Sequence, residues 1–199
     1  MYQTVQYDCA MSTDRRNELL DAALAYVAEH GLADFSLRQL AAAIGTSHRM
    51  LIHHFGSKAG LEEAVVQRLT EILTAPLSET ERAAPELDAR ELLERTWKSI
   101  TDPAAVPIMR LYLGFSSRAT HGDPLAREVV DKIREHGVET ALGARIGEDE
   151  AEVLLGASLT TTFLKGLLLD HLSGGSIVDA GATLERFIEL LERSRTQDG

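Results

Sequence analysis

From Phe35 to Leu61 the chain contains no aspartate or glutamate, and that span holds Arg38, Arg49 and Lys58 together with His48, His53 and His54. Ser36, Thr46 and Ser47 add short hydroxyl side chains, and Met50 an apolar one. Guanidinium, ammonium and hydroxyl groups bond phosphate oxygens, and guanidinium and imidazole also bond base edges, so this mixture suits nucleic acid. Three cations alone would equally fit a solvated helix face, and the surrounding helices must decide. Other chemistries are poorly served. His48, His53 and His54 lack the i, i+4 pair that converges on one helical face, so no metal site is expected. No glycine-rich phosphate loop, G-x-S-x-G or HExxH occurs, so the chain is not expected to be an enzyme or to need a cofactor. Cys9 is the single cysteine and can close neither an intramolecular disulfide nor a cysteine-type zinc site.

The elements that must position these residues are helices. Aromatic content is 5%, and apolar residues recur mainly three and four apart, which predicts an all-α chain of about nine helices with no strand. The first helix starts near Ser12 or Thr13, places Leu20, Ala23, Leu24 and Val27 on one face and stops at Gly31. Ser36 and Gln39 form a capping box that opens a short second helix with Leu37, Leu40, Ala41 and Ile44 inward, ended by Gly45. Thr46 and Ser47 cap a third, His48 to His54, with Leu51 inward and Phe55 just beyond. After Gly56, Ser57 starts a fourth with Leu61, Ala64, Val65, Leu69 and Ile72, at least to Leu73, before Pro76 interferes. Five more follow, roughly Leu87 to Ile100, Ala104 to Arg118, Pro124 toward Leu142 with Gly147 closing, Asp149 to Leu172, and Val178 to Arg193, the last two separated by Ser173-Gly174-Gly175-Ser176.

The chain has 199 residues and a formal charge of −11. Residues 1–70 carry six basic and eight acidic side chains, so most of the acid lies downstream. Such a composition is that of a globular protein with a core. Charges are expected to interrupt every window long enough to cross a membrane, so neither a span nor a membrane partner is expected. Residues 1–11 are polar where a secretory signal would be basic and then apolar; they are expected to form a disordered tail, and the protein to stay in the cytoplasm.

Two short helices separated by Gly45-Thr46-Ser47, beside the first helix, have the form of a helix-turn-helix. A short turn lets the second helix cross the first steeply, so one face packs inward while N-terminal residues project into a DNA major groove. The run from Arg15 to Val65, RRNELLDAALAYVAEHGLADFSLRQLAAAIGTSHRMLIHHFGSKAGLEEAV, resembles the tetracycline-repressor (TetR) family of bacterial regulators. The resemblance rests on the AA of the first helix, the HG closing it, S-L-R-x-L-A-x-x-x-G and the H-F-x-S-K-x-x-L ending, about a quarter of the chain. It implies a homodimer that regulates transcription, most often as a repressor, on a palindromic double-stranded DNA operator and leaves it on binding a small-molecule effector. On that resemblance Ser36 and Arg38 touch the DNA backbone, and Lys58 reaches phosphate from a helix N-terminus. His54 matches the family histidine and either contacts DNA or merely caps or packs. Where the family has tyrosine before x-H-F this chain has Ile52, which removes a phosphate-contacting hydroxyl that His53 or Arg49 must replace. Arg49 is the candidate for direct readout, since guanidinium bonds guanine bidentately; a phosphate contact is its alternative. His48 either reads a base or shields the turn. Any of the three histidines that meets DNA while charged would make affinity rise as pH falls through about 6.5.

The resemblance further implies a domain of residues 12–56 for DNA and one of 57–199 for effector binding and dimerisation, joined through the helix at 57–74. Trp97, Met109, Tyr112, Phe115, Ser116, Thr161 and Phe163, polar or aromatic residues in otherwise apolar helices, are the effector candidates, suggesting a hydrophobic or weakly polar ligand. Leu155, Leu159 and Leu167 in the eighth helix and Leu184, Phe187, Ile188 and Leu191 in the ninth are the candidates for a four-helix dimer interface. A helical interaction or ligand-binding module without specific DNA binding is the competing reading; it accounts for the bundle but not for the acid-free run.

Overall fold

The computed structural model describes the backbone of residues 3–31, 36–83, 88–143, 150–174 and 179–197, and the side chains of these stretches except 3–13, 76–83, 138–143, 150 and 194–197. Among the described residues the chain is helical without a strand: α1 (Gln3–His30), α2 (Leu37–Ala43), α3 (His48–Phe55), α4 (Lys58–Ala83), α5 (Ala89–Ile100), α6 (Val106–Thr120), α7 (Pro124–Gly143), α8 (Glu150–Ser173) and α9 (Ala180–Gln197). They gather into two compact units, Met1–Ile72 with Pro107–Val130, and Leu73–Val106 with Asp131–Gly199. Both α4 and α7 run through the two units.

In the first unit α1 buries Leu19, Leu20, Ala23, Leu24 and Val27, a stripe at helical spacing, and Gly31 ends it with φ 83°, its N–H donating to the Val27 carbonyl at 2.8 Å. α2 and α3 bury Leu37, Leu40, Ala41, Leu51 and Phe55, and α4 buries Leu61, Ala64, Val65, Val66 and Leu69. Arg68 of α4 bonds Asp21 of α1 at 2.9 Å, tying the two long helices together on their solvent side. The α3 to α4 corner is tight: Gly56 takes φ 76°, Ser57 N–H donates to the Phe55 carbonyl at 2.9 Å, and the Ser57 hydroxyl accepts from Gly60 N–H at 3.0 Å. At Gly60 an added Cβ would collide with the Phe55 carbonyl oxygen. Only glycine lets the first turn of α4 come this close to the end of α3.

In the second unit Leu93, Leu164, Leu167, Ala180, Leu184 and Ile188 form a core that Trp97, Phe163, Phe187 and Leu191 partly cover, with Phe163 stacked on Phe187 at 3.8 Å. Arg90 of α5 bonds Glu192 at 2.9 Å and Glu185 at 2.7 Å, pinning α5 to α9.

Several sequence expectations need correction. α1 begins at Gln3, not near Ser12, because no glycine or proline precedes Ser12 to stop it; residues 3–11 are thus helical and not a disordered tail. α4 continues through Pro76 to Ala83, since a proline inside a helix removes one N–H donor without forbidding the turns around it. Asp88, unremarked in the sequence, caps α5 by accepting from Glu91 N–H at 2.8 Å. Residues 151–173 of α8 are long and apolar enough, by length and composition, to cross a membrane, because Lys165 is the single charge between Val153 and Leu169. The expected closing glycine at Gly147 and the Gly175-Ser176 break lie outside the described residues.

Gly60→Ala is expected to lower stability by about 1–3 kcal/mol, the range for inserting a methyl where packing leaves no space, with Gly114→Ala, where nothing lies within 4 Å of the new Cβ, as the mild control. Urea denaturation of the two variants checks this.

Candidate nucleic-acid interface

The site is built from two capped helices and the turn between them. Ser36 closes its capping box with Gln39: the Gln39 N–H donates to the Ser36 hydroxyl at 3.2 Å, and the Ser36 N–H to the Gln39 side-chain oxygen at 2.9 Å. α2 ends at Ile44, Gly45 takes φ 69°, and Thr46 N–H returns to the Ala41 carbonyl at 2.8 Å. Ser47 then caps α3, its hydroxyl accepting from Met50 N–H at 3.1 Å. Leu51, 1% exposed, and Phe55 anchor α3 on the core side, one turn apart.

This anchoring decides what faces water. Ser36, Arg38, Ser47, His48, Arg49, Met50, His53 and Lys58 are exposed, and Thr46, Ile52 and His54 are half-buried. All ten residues expected to meet nucleic acid therefore lie at or near the surface of one unit, on α2, α3, their turn and the start of α4. Arg49 and His53 stand one helical turn apart and share a face. Lys58 pairs with Glu62 at 3.7 Å, so it must exchange that carboxylate for a phosphate if it contacts DNA. Ser36 and Ser47 already hold their helices, which leaves their hydroxyl oxygens committed as acceptors. Ile52 supplies no hydroxyl to this surface.

The surroundings of His54 set its electrostatics. Burial, then the charges of His53, Arg15 and Arg16, hold the His54 imidazole below the usual histidine range, so it stays neutral at pH 7. His53 meets its ring edge-on at 5.0 Å, and Arg16 lies 5.1 Å over the Phe55 ring. The two arginines belong to α1 and carried no signal in the short-helix motif; their position one turn ahead of Leu19 and Leu20 on the buried stripe was the available hint.

The remaining candidates divide between the units. Met109, Tyr112 and Phe115 are buried in the first, and the Ser116 hydroxyl there is buried with no hydrogen-bond partner among the described residues. Trp97 and Phe163 each pack against the second unit's core, and Thr161 lies 3.4 Å from where a Cβ on Gly137 would stand. A groove of about 300 Å³ in the first unit is lined by Ala59, Glu62, Glu63, Pro124, Leu125 and Glu128, none of them an effector candidate. Among the seven residues expected at a subunit interface, Leu155 and Leu159 are exposed, at 61% and 52%. Leu167, Leu184 and Ile188 lie instead inside their own unit's core, with Phe187 and Leu191 packed on it, because that core takes the inward leucines of both helices. Leu154, Leu169 and Leu190 are exposed as well.

Residues 19–65 match the family model of bacterial regulatory proteins, tetR family. The chain is 28% identical over 186 residues, 91% of its length and 95% of the relative's, to the HTH-type transcriptional regulator BetI of Paraburkholderia phytofirmans. Its fold is similar to that of a Rhodococcus protein described as a TetR-family transcriptional regulator, with a TM-score of 0.68, 21% identity and coverage of 90% of this chain and 98% of that one. A second neighbour, a transcriptional regulator from Saccharomonospora viridis in complex with choline, superposes with a TM-score of 0.68 at 19% identity, covering 90% of this chain and 96% of that one.

Two outcomes follow from the caps and the histidine. Ser47→Ala should cost about 1 kcal/mol of stability in urea denaturation, the usual loss for an N-cap. Since His54 is held neutral, folding stability should fall as pH drops below 6.5 toward its lowered folded value, because the unfolded chain takes the proton first. A His54→Gln variant should lack that part of the fall when urea midpoints at pH 7.5 and 5.5 are compared.

Proposed function

The chain belongs to the TetR family of helix-turn-helix transcriptional regulators, and from that premise we propose that it is a repressor: a homodimer that binds a palindromic operator and leaves it when a small-molecule effector binds. The observation that carries the reading is the outward face of α3, exposed and free of acid, on a helix held from behind by Leu51 and Phe55. Arg49 reads a base edge, with His48 and Met50 beside it. Ser36, Arg38, Thr46, Ser47, His53 and Lys58 position the helix on phosphates, and His54 supports it. The regulator acts by binding and not by catalysis, in the cytoplasm with the DNA it controls.

Dimerisation is supported by α8, which buries Val153, Ala157, Leu164, Leu167 and Leu168 and turns Leu155, Leu159, Thr162 and Gly166 to solvent on one face. Exposed Leu154, Leu169 and Leu190 extend the apolar surface onto the flank of α8 and onto α9. A monomer seldom leaves such a surface bare, and the small Thr162 and Gly166 let a second α8 approach closely. Two copies of α3 would then enter successive major grooves, about 34–36 Å apart.

The effector candidates belong to separate units: Trp97, Thr161 and Phe163 to the second, and Met109, Tyr112, Phe115 and Ser116 to the first, where Ser116 offers a buried hydroxyl that a ligand could satisfy. Because α4 belongs to both units, an effector that prefers a different tilt of α4 changes the spacing of the two α3 helices, and it works only by that difference in affinity. Choline is the first compound to try, since the Saccharomonospora neighbour holds it and aromatic faces attract quaternary ammonium groups.

Arg49→Ala should weaken operator binding by about 30-fold or more, since each of the two protomers loses a bidentate base contact of about 1–3 kcal/mol, and leave binding to unrelated duplex nearly unchanged in fluorescence anisotropy. Wild-type protein should sediment as a dimer at micromolar concentration and the Leu155→Glu/Leu159→Glu variant as a helical monomer; a monomeric wild type would contradict the reading.

A further inference from the structure

We infer that the DNA contact of this regulator extends beyond the helix-turn-helix onto α1, where Arg15 and Arg16 hold backbone phosphates beside the C-terminal end of α3. The inference rests on the proposed function and adds two residues that lie outside both the helix-turn-helix and residues 19–65. Leu19 and Leu20 are the first deeply buried positions described on α1, and Arg15 and Arg16 stand one turn before them on the same stripe. That stripe runs over the end of α3: the Arg16 guanidinium lies 5.1 Å over the ring of Phe55, the last residue of the helix. Arg15 is exposed and bonds Glu18 at 2.8 Å.

The result is a crowd of like charges. Burial first, and then the charges of His53, Arg15 and Arg16, disfavour protonation of His54, so these groups share one neighbourhood. Glu18 is the carboxylate bonded to this group, through Arg15. Such clustering is unfavourable in the free protein and is relieved by a polyanion. α3 has eight residues, so it is about 12 Å long at the usual rise, close to the width of the major groove, about 12 Å. Groups at its far end therefore come to the phosphate-lined edge of the groove and not to its floor, and that edge is where Arg15 and Arg16 stand. Phosphate contacts carry no base information, so these arginines add affinity and salt dependence without adding specificity.

The test measures binding of the full chain to an operator fragment and to an unrelated duplex across a series of salt concentrations. For Arg15→Gln/Arg16→Gln the slope of log K against log salt should fall in magnitude by about 3.6, two contacts in each of the two protomers at about 0.9 each, on both duplexes, with base preference unchanged. Arg15→Lys/Arg16→Lys keeps the charge and should keep the slope. Glu18→Gln frees Arg15 from its carboxylate and should tighten binding to both duplexes, a gain that loss of folding cannot mimic. An unchanged slope in the Gln variant, while Arg49→Ala still loses operator binding, would overturn the inference and leave the proposed function standing. Equal losses in the Gln and Lys variants would also overturn it, since the arginines would then serve only to support Phe55. Wild-type protein that binds neither duplex would instead defeat the proposed function itself.

Discussion

The Phe55 carbonyl is the point on which the DNA-facing half of this protein turns. It accepts the Ser57 N–H at 2.9 Å, and it lies where a side chain on Gly60 would have to go. The helix that presents Arg49 is thereby fixed to the first turn of the helix that continues into the second unit. A looser corner would leave α3 to be oriented by Leu51 and Phe55 alone, and any tilt of α4 would be absorbed before reaching it. The regulation by spacing proposed above requires that α3 and the start of α4 move as one piece, and glycine at 60 is what the close approach of the Phe55 carbonyl demands for that.

The short helices were legible because their signals are local. Ser36 with Gln39, Gly45, Ser47, Gly56 and Ser57 each impose a cap or a stop within one turn, and the helices open and close at those residues. The outward set on α3 followed from two buried positions, Leu51 and Phe55, one turn apart. Signals that depend on distant partners were not legible. Nothing near Gly60 in the chain announces that the Phe55 carbonyl will lie against it. Arg15 and Arg16 read as ordinary solvated charges until the end of α3 is placed beside them. Pro76 reads as a stop, yet α4 passes through it.

The eighth helix illustrates a different limit. Periodicity identifies a buried face only when the other face is polar, and α8 carries leucine on nearly every side. Four-residue spacing therefore fits Leu155 and Leu159, which face solvent, as well as Leu164 and Leu168, which are buried. The same excess of apolar surface is what a partner helix needs. A polar outer face on α8 would have made the core obvious and the dimer impossible to infer.

In the proposed function α3 reads a particular sequence twice, once per protomer. The most direct measurement is sequencing of genomic fragments retained by the purified protein at moderate salt. The account predicts one enriched motif with two-fold symmetry and half-sites about one helical turn apart, or somewhat stretched. Retention without any enriched motif, or no retention at low salt, would contradict it and return the bundle to a role that does not involve reading DNA.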